Sequence, residues 1–208
     1  MASDGFLSFL RSRRSSKTLG SGDVPFEVVV KAVEAGVWAA NAHGCQPWRF
    51  VVVGDEGVKE RLLEEMGRDW LEDLTGDGME PGKAEKIVEM FKNRSRRAAF
   101  LIIACLSMKD MDVYWDSRRS RLEYLMGVQS VAAAVQNILL AVHGLGYGSC
   151  WRCSPLFAQD AVRRVLGIPP DVEPQAMVEV GLKGGETSGV RKPLGEVAFL
   201  NKWGNPLC

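Results

Sequence analysis

The segment from Ser120 to His143 constrains the fold more than any other part of the chain. Its apolar residues recur at helical spacing and form one stripe: Val128, Val131, Ala132, Val135, Ile138, Leu139 and Val142. The apolar surface extends nearly all round this helix through Ala133, Ala134, Leu140 and Ala141. Such a helix must be covered on most sides, so we expect it at the centre of the fold or at a dimer interface. Gly144 and Gly146 end it.

Shorter periodic segments predict the rest of the fold. Four are predicted strands: Phe50 to Val53, Ala98 to Leu106, Ala176 to Leu182 and Gly195 to Trp203. Five are predicted helices: Asp4 to Arg13, Pro25 to Ala40, Glu56 to Leu74, Lys83 to Asn93 and Ala158 to Leu166. Helices outnumber strands and the strands lie far apart in sequence, which favours an α+β fold with helices packed on a sheet. We find no repeat or clear linker, so we expect a single domain over residues 1–208.

Composition and charge narrow the class of partner. The chain has 208 residues, and its 26 basic side chains balance its 26 acidic ones. A net charge of zero argues against a nucleic acid or a membrane as the partner. The N-terminus lacks the pattern of a signal peptide, and the wholly apolar runs are much shorter than a bilayer span. Five scattered cysteines, an odd number, predict reduced thiols in a cytoplasmic protein.

The loop Asn41 to Phe50 is the richest candidate for a binding site. It carries an amide, an imidazole, a thiol, a second amide, an indole and a guanidinium between a predicted helix and a predicted strand. Binding sites concentrate on loops held by rigid elements, and this set suits a planar, hydrogen-bonding ligand. A loop that satisfies its own polar groups, with Trp48 packed into the core, accounts for the pattern equally well.

Two basic segments are candidate phosphate sites. Residues Arg11 to Lys17 offer three guanidinium groups, one ammonium and three hydroxyls. Guanidinium forks and hydroxyls suit phosphate geometry, and a desolvated charge-assisted hydrogen bond contributes roughly 1.5–3 kcal/mol. Arg191 and Lys192 follow a Gly-rich loop and form a second candidate clamp. The alternatives are a solvated basic segment and an exposed loop dipeptide.

Other motifs favour structural roles. A predicted helix, not a strand, precedes the glycines of Gly144 to Gly148, which excludes a dinucleotide-binding turn and favours a helix cap and tight turn. Cys150 and Cys153 lack the second pair of ligands that a zinc site needs, so we interpret them as unpaired thiols lining a loop. His143, near the end of an apolar helix, is expected to be structural. The sequence predicts no metal site.

Several motifs occur together in an order that carries a family resemblance. They are Arg13-Arg14-Ser15-Ser16-Lys17, Asn41 to Phe50, Gln136 to Leu140, Gly146 to Trp151 and Arg191-Lys192-Pro193. In this order they resemble the FMN-dependent nitroreductase superfamily across nearly the whole chain. Three segments look closer still to the nitroreductase-like C-terminal half of bacterial deazaflavin-coenzyme γ-glutamyl ligases: Met66 to Gly78, Met111 to Tyr114 and Ala132 to Asn137.

The resemblance implies a nitroreductase-like α+β sandwich, with a central, mostly antiparallel sheet packed by helices. It also implies an intertwined homodimer with two FMN sites at the interface. Carried over by position, Arg13 and Ser15 hold the phosphate and ribityl end of FMN, and Arg191 closes the phosphate site. Lys17 lies near the flavin N1–O2 edge, with Arg14 close by. The superfamily often has Arg where this chain has Lys17.

Two further groups are implied around the flavin ring. Ala40, Asn41 and His43, contributed by either subunit, flank the ring, and Gln46 meets its polar edge. The superfamily often has Pro-Ser where this chain has Ala39-Ala40. The segment from Ser149 to Ser154 approaches N5 or the ring face, and its cofactor-binding residues are Ser149, Cys150 and Trp151.

The implied activity is that of an FMN-dependent NAD(P)H oxidoreductase. A reduced nicotinamide or a reduced deazaflavin would deliver hydride to FMN, which would pass it to a nitroaromatic, a quinone or an unsaturated acceptor in ping-pong order. The flavin carries the chemistry, so no catalytic side chain is predicted. The alternatives are a flavin-fragmenting enzyme of the cobalamin-pathway type, a non-catalytic flavin- or deazaflavin-binding protein, and a dimeric scaffold.

Overall fold

Two strands that are buried on both faces form the middle of the sheet. The computed structural model describes residues 2–185 and 189–207. In it β2 (Phe100–Ser107) pairs with β4 (Val172–Gly181). The strand β1 (Trp48–Val53) pairs with the other side of β2, and β3 (Gly148–Arg152) with the other side of β4. The order is therefore β1-β2-β4-β3, and all three pairings are antiparallel.

Side chains of β2 enter two separate cores, because successive residues of a strand point to opposite faces. Ile102 and Leu106 contact one core, while Leu101 and Ile103 contact the other, and all four are fully buried. A strand covered on both faces needs apolar residues at every position. This requirement explains the continuous apolar run in the sequence.

Helices cover both faces of the sheet. On one face lie α2 (Phe26–Val37) and α5 (Ser117–Gly144). On the other face lie α3 (Glu56–Gly76), α4 (Pro81–Ser95), α6 (Ser154–Phe157) and α7 (Gln159–Leu166). The remaining helical segments are α1 (Ala2–Ser12), a 3₁₀ turn (Ala42–Gly44) and α8 (Leu194–Val197). The predicted α+β fold, with a mostly antiparallel sheet packed by helices, is confirmed.

The helix α5 lies at the centre of its layer, as its apolar pattern predicts. Asp116 caps its start by accepting a hydrogen bond from the Arg119 backbone N–H. Its buried residues pack on α2 and on the sheet. By length and composition alone α5 could cross a bilayer. A buried core helix meets the same criterion, and packing on the sheet accounts for its apolar stripe.

Two sequence predictions differ from the structure. The Cys150 thiol lies in β3 rather than in a loop, because Gly148–Arg152 pairs with β4. The predicted strand Gly195 to Trp203 is wrong; it contains most of α8, and Phe199 forms only an isolated bridge with Pro206. The predicted helix Ala158 to Leu166 is confirmed as α7, and the structure adds a preceding turn, α6, that was not predicted. The predicted turn after α5 is confirmed, since Gly146 has a φ of 91°.

Gly36 lets α2 approach α5 closely. A Cβ atom at Gly36 would lie 2.8 Å from Ile138 Cγ1. We therefore expect Gly36→Ala to destabilise the protein by about 1–3 kcal/mol, because a packed core resists added volume. Gly76→Ala in α3 is the matched control: its Cβ would meet nothing within 4 Å. That control should gain about 0.5–1 kcal/mol of helix propensity. Urea unfolding at a fixed protein concentration measures both; a stabilising Gly36→Ala would contradict the packing described.

Candidate functional site

The basic segment after α1 runs beside the edge of the sheet. The Ser16 backbone N–H donates to the Ser149 carbonyl at 2.9 Å, and the Gly20 N–H donates to the Leu182 carbonyl at 3.0 Å. Gly148 is needed for this approach, because a Cβ there would lie 2.9 Å from Leu19 Cδ2. The structure thus places Arg13 to Lys17 next to β3.

Three guanidinium groups gather at the start of this segment. A Cβ at Gly189 would lie 3.2 Å from Arg191 Nη1 and 3.7 Å from Arg14 Nε, so both arginines flank that glycine. Burial lowers the pKa of Arg13, and the charges of Arg191 and Arg14 lower it further. None of the three forms a salt bridge with a carboxylate of residues 2–185 or 189–207. Cations that repel one another and have no counter-ion form a site for an anion.

Arg13 has an unpaired donor at this position. Its Nη1 atom is buried and has no hydrogen-bond partner in the described part of the chain. A buried donor without a partner costs about 1–3 kcal/mol, which an anionic oxygen would offset. Arg14 Nη1 instead donates to the backbone carbonyls of Arg11 and Arg13. The donor set fits a phosphate group.

The same segment reaches the residues of β3. Burial raises the pKa of the Cys150 thiol, while the nearby charges of Arg152, Lys17 and Arg13 act in the opposite direction. Cys150 is therefore a protonated, buried thiol close to two of the predicted cofactor-binding cations.

The Trp151 side chain packs against the core on the α5 side, and its buried Nε1 has no partner among the described residues. The chain turns at Ser15 to Lys17, where the Ser15 carbonyl accepts a hydrogen bond from the Lys17 N–H at 3.0 Å.

The polar loop before β1 is anchored elsewhere. The Ala42 N–H donates to Ser130 Oγ of α5 at 3.1 Å, and the Gln46 N–H donates to Asn41 Oδ1 at 2.8 Å. His43 and Gln46 have φ angles of 53° and 49°, which are uncommon for residues with a side chain. Trp48 is buried in the core, as predicted.

His43 faces two carboxylates rather than the basic segment. Its Nε2 lies 3.5 Å from Glu123 Oε1 and 3.9 Å from Asp112 Oδ2. Glu123 is buried and also accepts from the Asp112 backbone N–H at 3.2 Å. Burial raises the pKa of the Cys45 thiol. The negative charges of Asp112, Glu123 and Asp110 raise it further. This loop thus contacts α5 and residues 110–112, whereas the segment Arg13 to Lys17 contacts β3. Ala40, the residue before the loop, is exposed.

Sequence reasoning missed a buried polar group in β4, next to β3. Glu179 of β4 is only 1% exposed. It accepts from Ser95 Oγ at 2.5 Å and from Arg152 Nε at 3.1 Å. The available signal was a carboxylate inside an otherwise apolar strand, since such a charge must be paired to be buried.

Comparison with known proteins identifies the family. The model of the Nitroreductase family matches residues 10–182. The chain therefore belongs to the nitroreductase family and is an oxidoreductase. The narrower resemblance to deazaflavin-coenzyme ligases stays a prediction.

Two curated relatives agree with this family. A protein of Archaeoglobus fulgidus, provisionally named NADH dehydrogenase/NAD(P)H nitroreductase, is 28% identical over 179 residues. The match covers 84% of this chain and 83% of that protein. The provisional NAD(P)H nitroreductase YfhC of Bacillus subtilis is 24% identical over 173 residues, which cover 83% of this chain and 81% of YfhC.

Solved structures share the fold. A BluB-like flavoprotein from Clostridium difficile 630 has a TM-score of 0.75 at 23% identity, over 95% of this chain and 99% of that one. A protein of Desulfovibrio desulfuricans, provisionally named a nitroreductase and crystallised in complex with FMN, has a TM-score of 0.71 at 25% identity. That match covers 95% of this chain and 96% of the other.

His143 lies near the basic segment and contacts residues of α1. Its Nε2 hydrogen-bonds with Ser12 Oγ at 2.8 Å, and its ring packs on Phe9. Burial lowers the pKa of His143 below its ordinary value of 6.5, and the charges of Lys183, Arg13 and Arg14 lower it further. This packing supports the structural role expected for the residue.

The lowered pKa predicts a pH dependence of stability. The unfolded chain takes up the His143 proton at a higher pH than the folded chain, so stability is lost as the pH falls below about 6.5. We expect His143→Gln to lose less stability than the parent between about pH 7.5 and about pH 5.5. Urea midpoints at the two pH values measure this, with His43→Gln as the control. Equal losses in the parent and in His143→Gln would contradict the prediction.

Proposed function

We propose that the protein is an FMN-dependent oxidoreductase. It would take hydride from a reduced nicotinamide, NADH or NADPH, or from a reduced deazaflavin. The acceptor would be a nitroaromatic, a quinone or an unsaturated small molecule. The observation that carries the proposal is the buried, unpaired Nη1 of Arg13 in a chain of the nitroreductase family. Arg14 and Arg191 lie close to Arg13, and neither forms a salt bridge with a carboxylate of the described residues.

The phosphate of FMN is assigned to the arginine group. Arg13 offers its unpaired donor, Arg191 and Arg14 add charge, and Ser15 stands where the chain turns towards β3. Their mutual repulsion is relieved when a dianionic phosphate binds between them. The FMN complex of the Desulfovibrio relative supports this choice of cofactor.

The flavin ring is assigned to the space beside Lys17 and β3. Bound FMN supplies hydride acceptance and release at its ring, so the protein needs no nucleophile or metal for that chemistry. Lys17 would place positive charge near the N1–O2 edge and stabilise negative charge there. Ser149, Cys150 and Trp151 would form the wall next to the ring. The raised pKa of Cys150 keeps its thiol protonated, so it would contribute packing rather than nucleophilic catalysis.

A homodimer is part of the proposal. An apolar side of α2 is exposed in the single chain, through Phe26, Val30 and Val37, and Trp38 beyond it is 83% exposed. Large contiguous apolar patches on a protein surface usually mark an interaction site. The loop with Ala40, Asn41, His43 and Gln46 follows directly, so a second copy covering this surface would bring the loop to the partner's flavin. We also propose that residues 1–208 act as one domain and that the protein is cytoplasmic with reduced thiols, consistent with the four free cysteines described.

The cofactor assignment predicts a yellow protein that releases FMN on denaturation. We expect Arg13→Ala to weaken FMN binding roughly ten- to hundredfold, because a charge-assisted contact to a phosphate is lost. Arg61→Ala, on the exposed surface of α3, is the control and should bind FMN like the parent. Titration of the FMN-free proteins, followed by flavin fluorescence, measures both affinities. A colourless protein that does not bind added FMN would refute the proposal, and equal losses in the two variants would move the phosphate site elsewhere.

The activity is tested by anaerobic reduction kinetics. We expect NADH, NADPH or a reduced deazaflavin to bleach the flavin absorbance, and a nitroaromatic or a quinone to restore it without oxygen. Lys17→Gln should slow bleaching roughly tenfold, which corresponds to about 1.4 kcal/mol of lost charge stabilisation. Lys86→Gln, exposed on α4, should leave the rate unchanged.

Two outcomes would overturn the oxidoreductase assignment. A protein that holds FMN but is bleached by no donor would be a flavin- or deazaflavin-binding protein. Formation of dimethylbenzimidazole from the flavin in the presence of oxygen would instead support the flavin-fragmenting alternative.

A further inference from the structure

A cavity of about 420 Å³ lies between α3, α4 and the junction of β3 with α6. Its volume is within the range of about 300–1,000 Å³ that is typical of small-molecule sites. Apolar and aromatic side chains form most of its wall, among them Met66, Trp70, Phe91 and Phe157. Aromatic walls of this kind favour a flat ligand, because rings stack on them face to face or edge to face.

Two unpaired hydrogen-bond donors belong to residues of this wall. Arg152 and Ser154 both line the cavity, and the buried atoms Arg152 Nη2 and Ser154 Oγ have no partner in residues 2–185 or 189–207. Buried polar groups in native proteins nearly always have a hydrogen-bond partner. Two buried donors without partners in one cavity therefore indicate a ligand that supplies the acceptor.

The guanidinium of Arg152 is held in a fixed position. Its Nε donates to Glu179 Oε2 at 3.1 Å, and Glu179 Oε1 accepts from Ser95 Oγ at 2.5 Å. Glu179 is buried, so the carboxylate that orients Arg152 is shielded from water. The remaining Nη2 donor is therefore oriented before any ligand arrives, which lowers the entropy cost of binding.

The charges around the cavity select against an anion. The positive charge of Arg152 is already balanced by Glu179. Asp73 and Asp77, both exposed, add two carboxylates to the lining. An anionic ligand would meet these carboxylates without an unbalanced cation, so like-charge repulsion would weaken it. A neutral oxygen with partial negative charge satisfies the two donors without that cost.

We propose that this cavity binds a neutral bicyclic aromatic carbonyl compound, with its carbonyl oxygen on Arg152 Nη2 and Ser154 Oγ. The rings lie among Trp70, Phe91 and Met66. The cavity adjoins the proposed flavin site, because Arg152 and Ser154 belong to the segment Ser149 to Ser154 that is expected near the flavin ring. We propose it as a separate site, since Arg13, Arg14, Lys17 and Arg191 do not line it.

The test uses coumarin as the probe, with equilibrium dialysis against the FMN-loaded and the FMN-free protein. Coumarin should bind both forms. Coumarin-3-carboxylate tests the charge argument, and 2H-chromene has the same rings without the carbonyl group. Each should bind at least tenfold more weakly than coumarin. Equal binding of the three probes would overturn the proposal.

Variants separate ligand binding from folding. Ser154→Ala should weaken coumarin binding roughly three- to tenfold, because one hydrogen bond is lost. It should leave the thermal midpoint unchanged or higher, because an unpaired buried hydroxyl is removed. A residue with a purely structural role would lower that midpoint. Arg152→Lys keeps the ion pair with Glu179 but removes Nη2, and should weaken coumarin similarly. Ser117→Ala, exposed at the start of α5, is the control.

Two results would refute the separate site. Unchanged coumarin affinity in both Ser154→Ala and Arg152→Lys would show that the unpaired donors do not contact the ligand. Displacement of coumarin by FMN would assign the cavity to the flavin. Failure of FMN to bind at all would refute the proposed function and leave the coumarin result standing by itself.

Discussion

Burial of β2 and β4 on both faces restricts polar chemistry to the edges of the sheet. Both strands contribute to a core on each face, and helices cover both cores. Charged groups are costly at such positions unless they are paired. The basic segment of Arg13 to Lys17 accordingly lies along β3, the edge strand on the side of β4. A ligand that needs both cations and a flat apolar wall can find them together at this edge.

Glu179 is the exception, and it explains how the edge is organised. It lies in β4 on the face that carries Met177, yet it is fully paired by Ser95 and Arg152. A buried carboxylate would be strongly destabilising if either partner were lost. The pairing ties the end of α4 to the end of β3. It thereby fixes the Arg152 guanidinium at the wall of the cavity, where its buried Nη2 has no partner among the described residues.

Periodic patterns predicted the elements that carry the core. The stripe of α5 and the apolar run of β2 identified both elements because burial imposes a period of 3.6 or a continuous apolar segment. β3 escaped prediction because Gly148 to Arg152 is short, begins with glycine and shows no alternation of polar and apolar residues. Residue type alone marked the basic segment as a candidate phosphate site, and that assignment stays a prediction. The contacts of Arg152 with Glu179 and of Ser95 with Glu179 were not, because 27 and 84 residues separate the partners and only the folded sheet joins them.

The pairing of arginines, rather than their number, distinguishes an anion site from a structural network. Arg96 also lies in a dense group of charges, but it forms ion pairs with Glu60, Glu64 and Glu89. The hydrogen bonds that Arg96 donates to Glu60 and Glu89 raise its pKa, and its charge is already neutralised. Burial and two neighbouring cations instead lower the pKa of Arg13, and its Nη1 has no partner among the described residues. An incoming phosphate would gain little at Arg96, where it would have to displace carboxylates. At Arg13 it would relieve repulsion and satisfy a buried donor in one step, which is why we propose this arginine group as the site of the flavin phosphate.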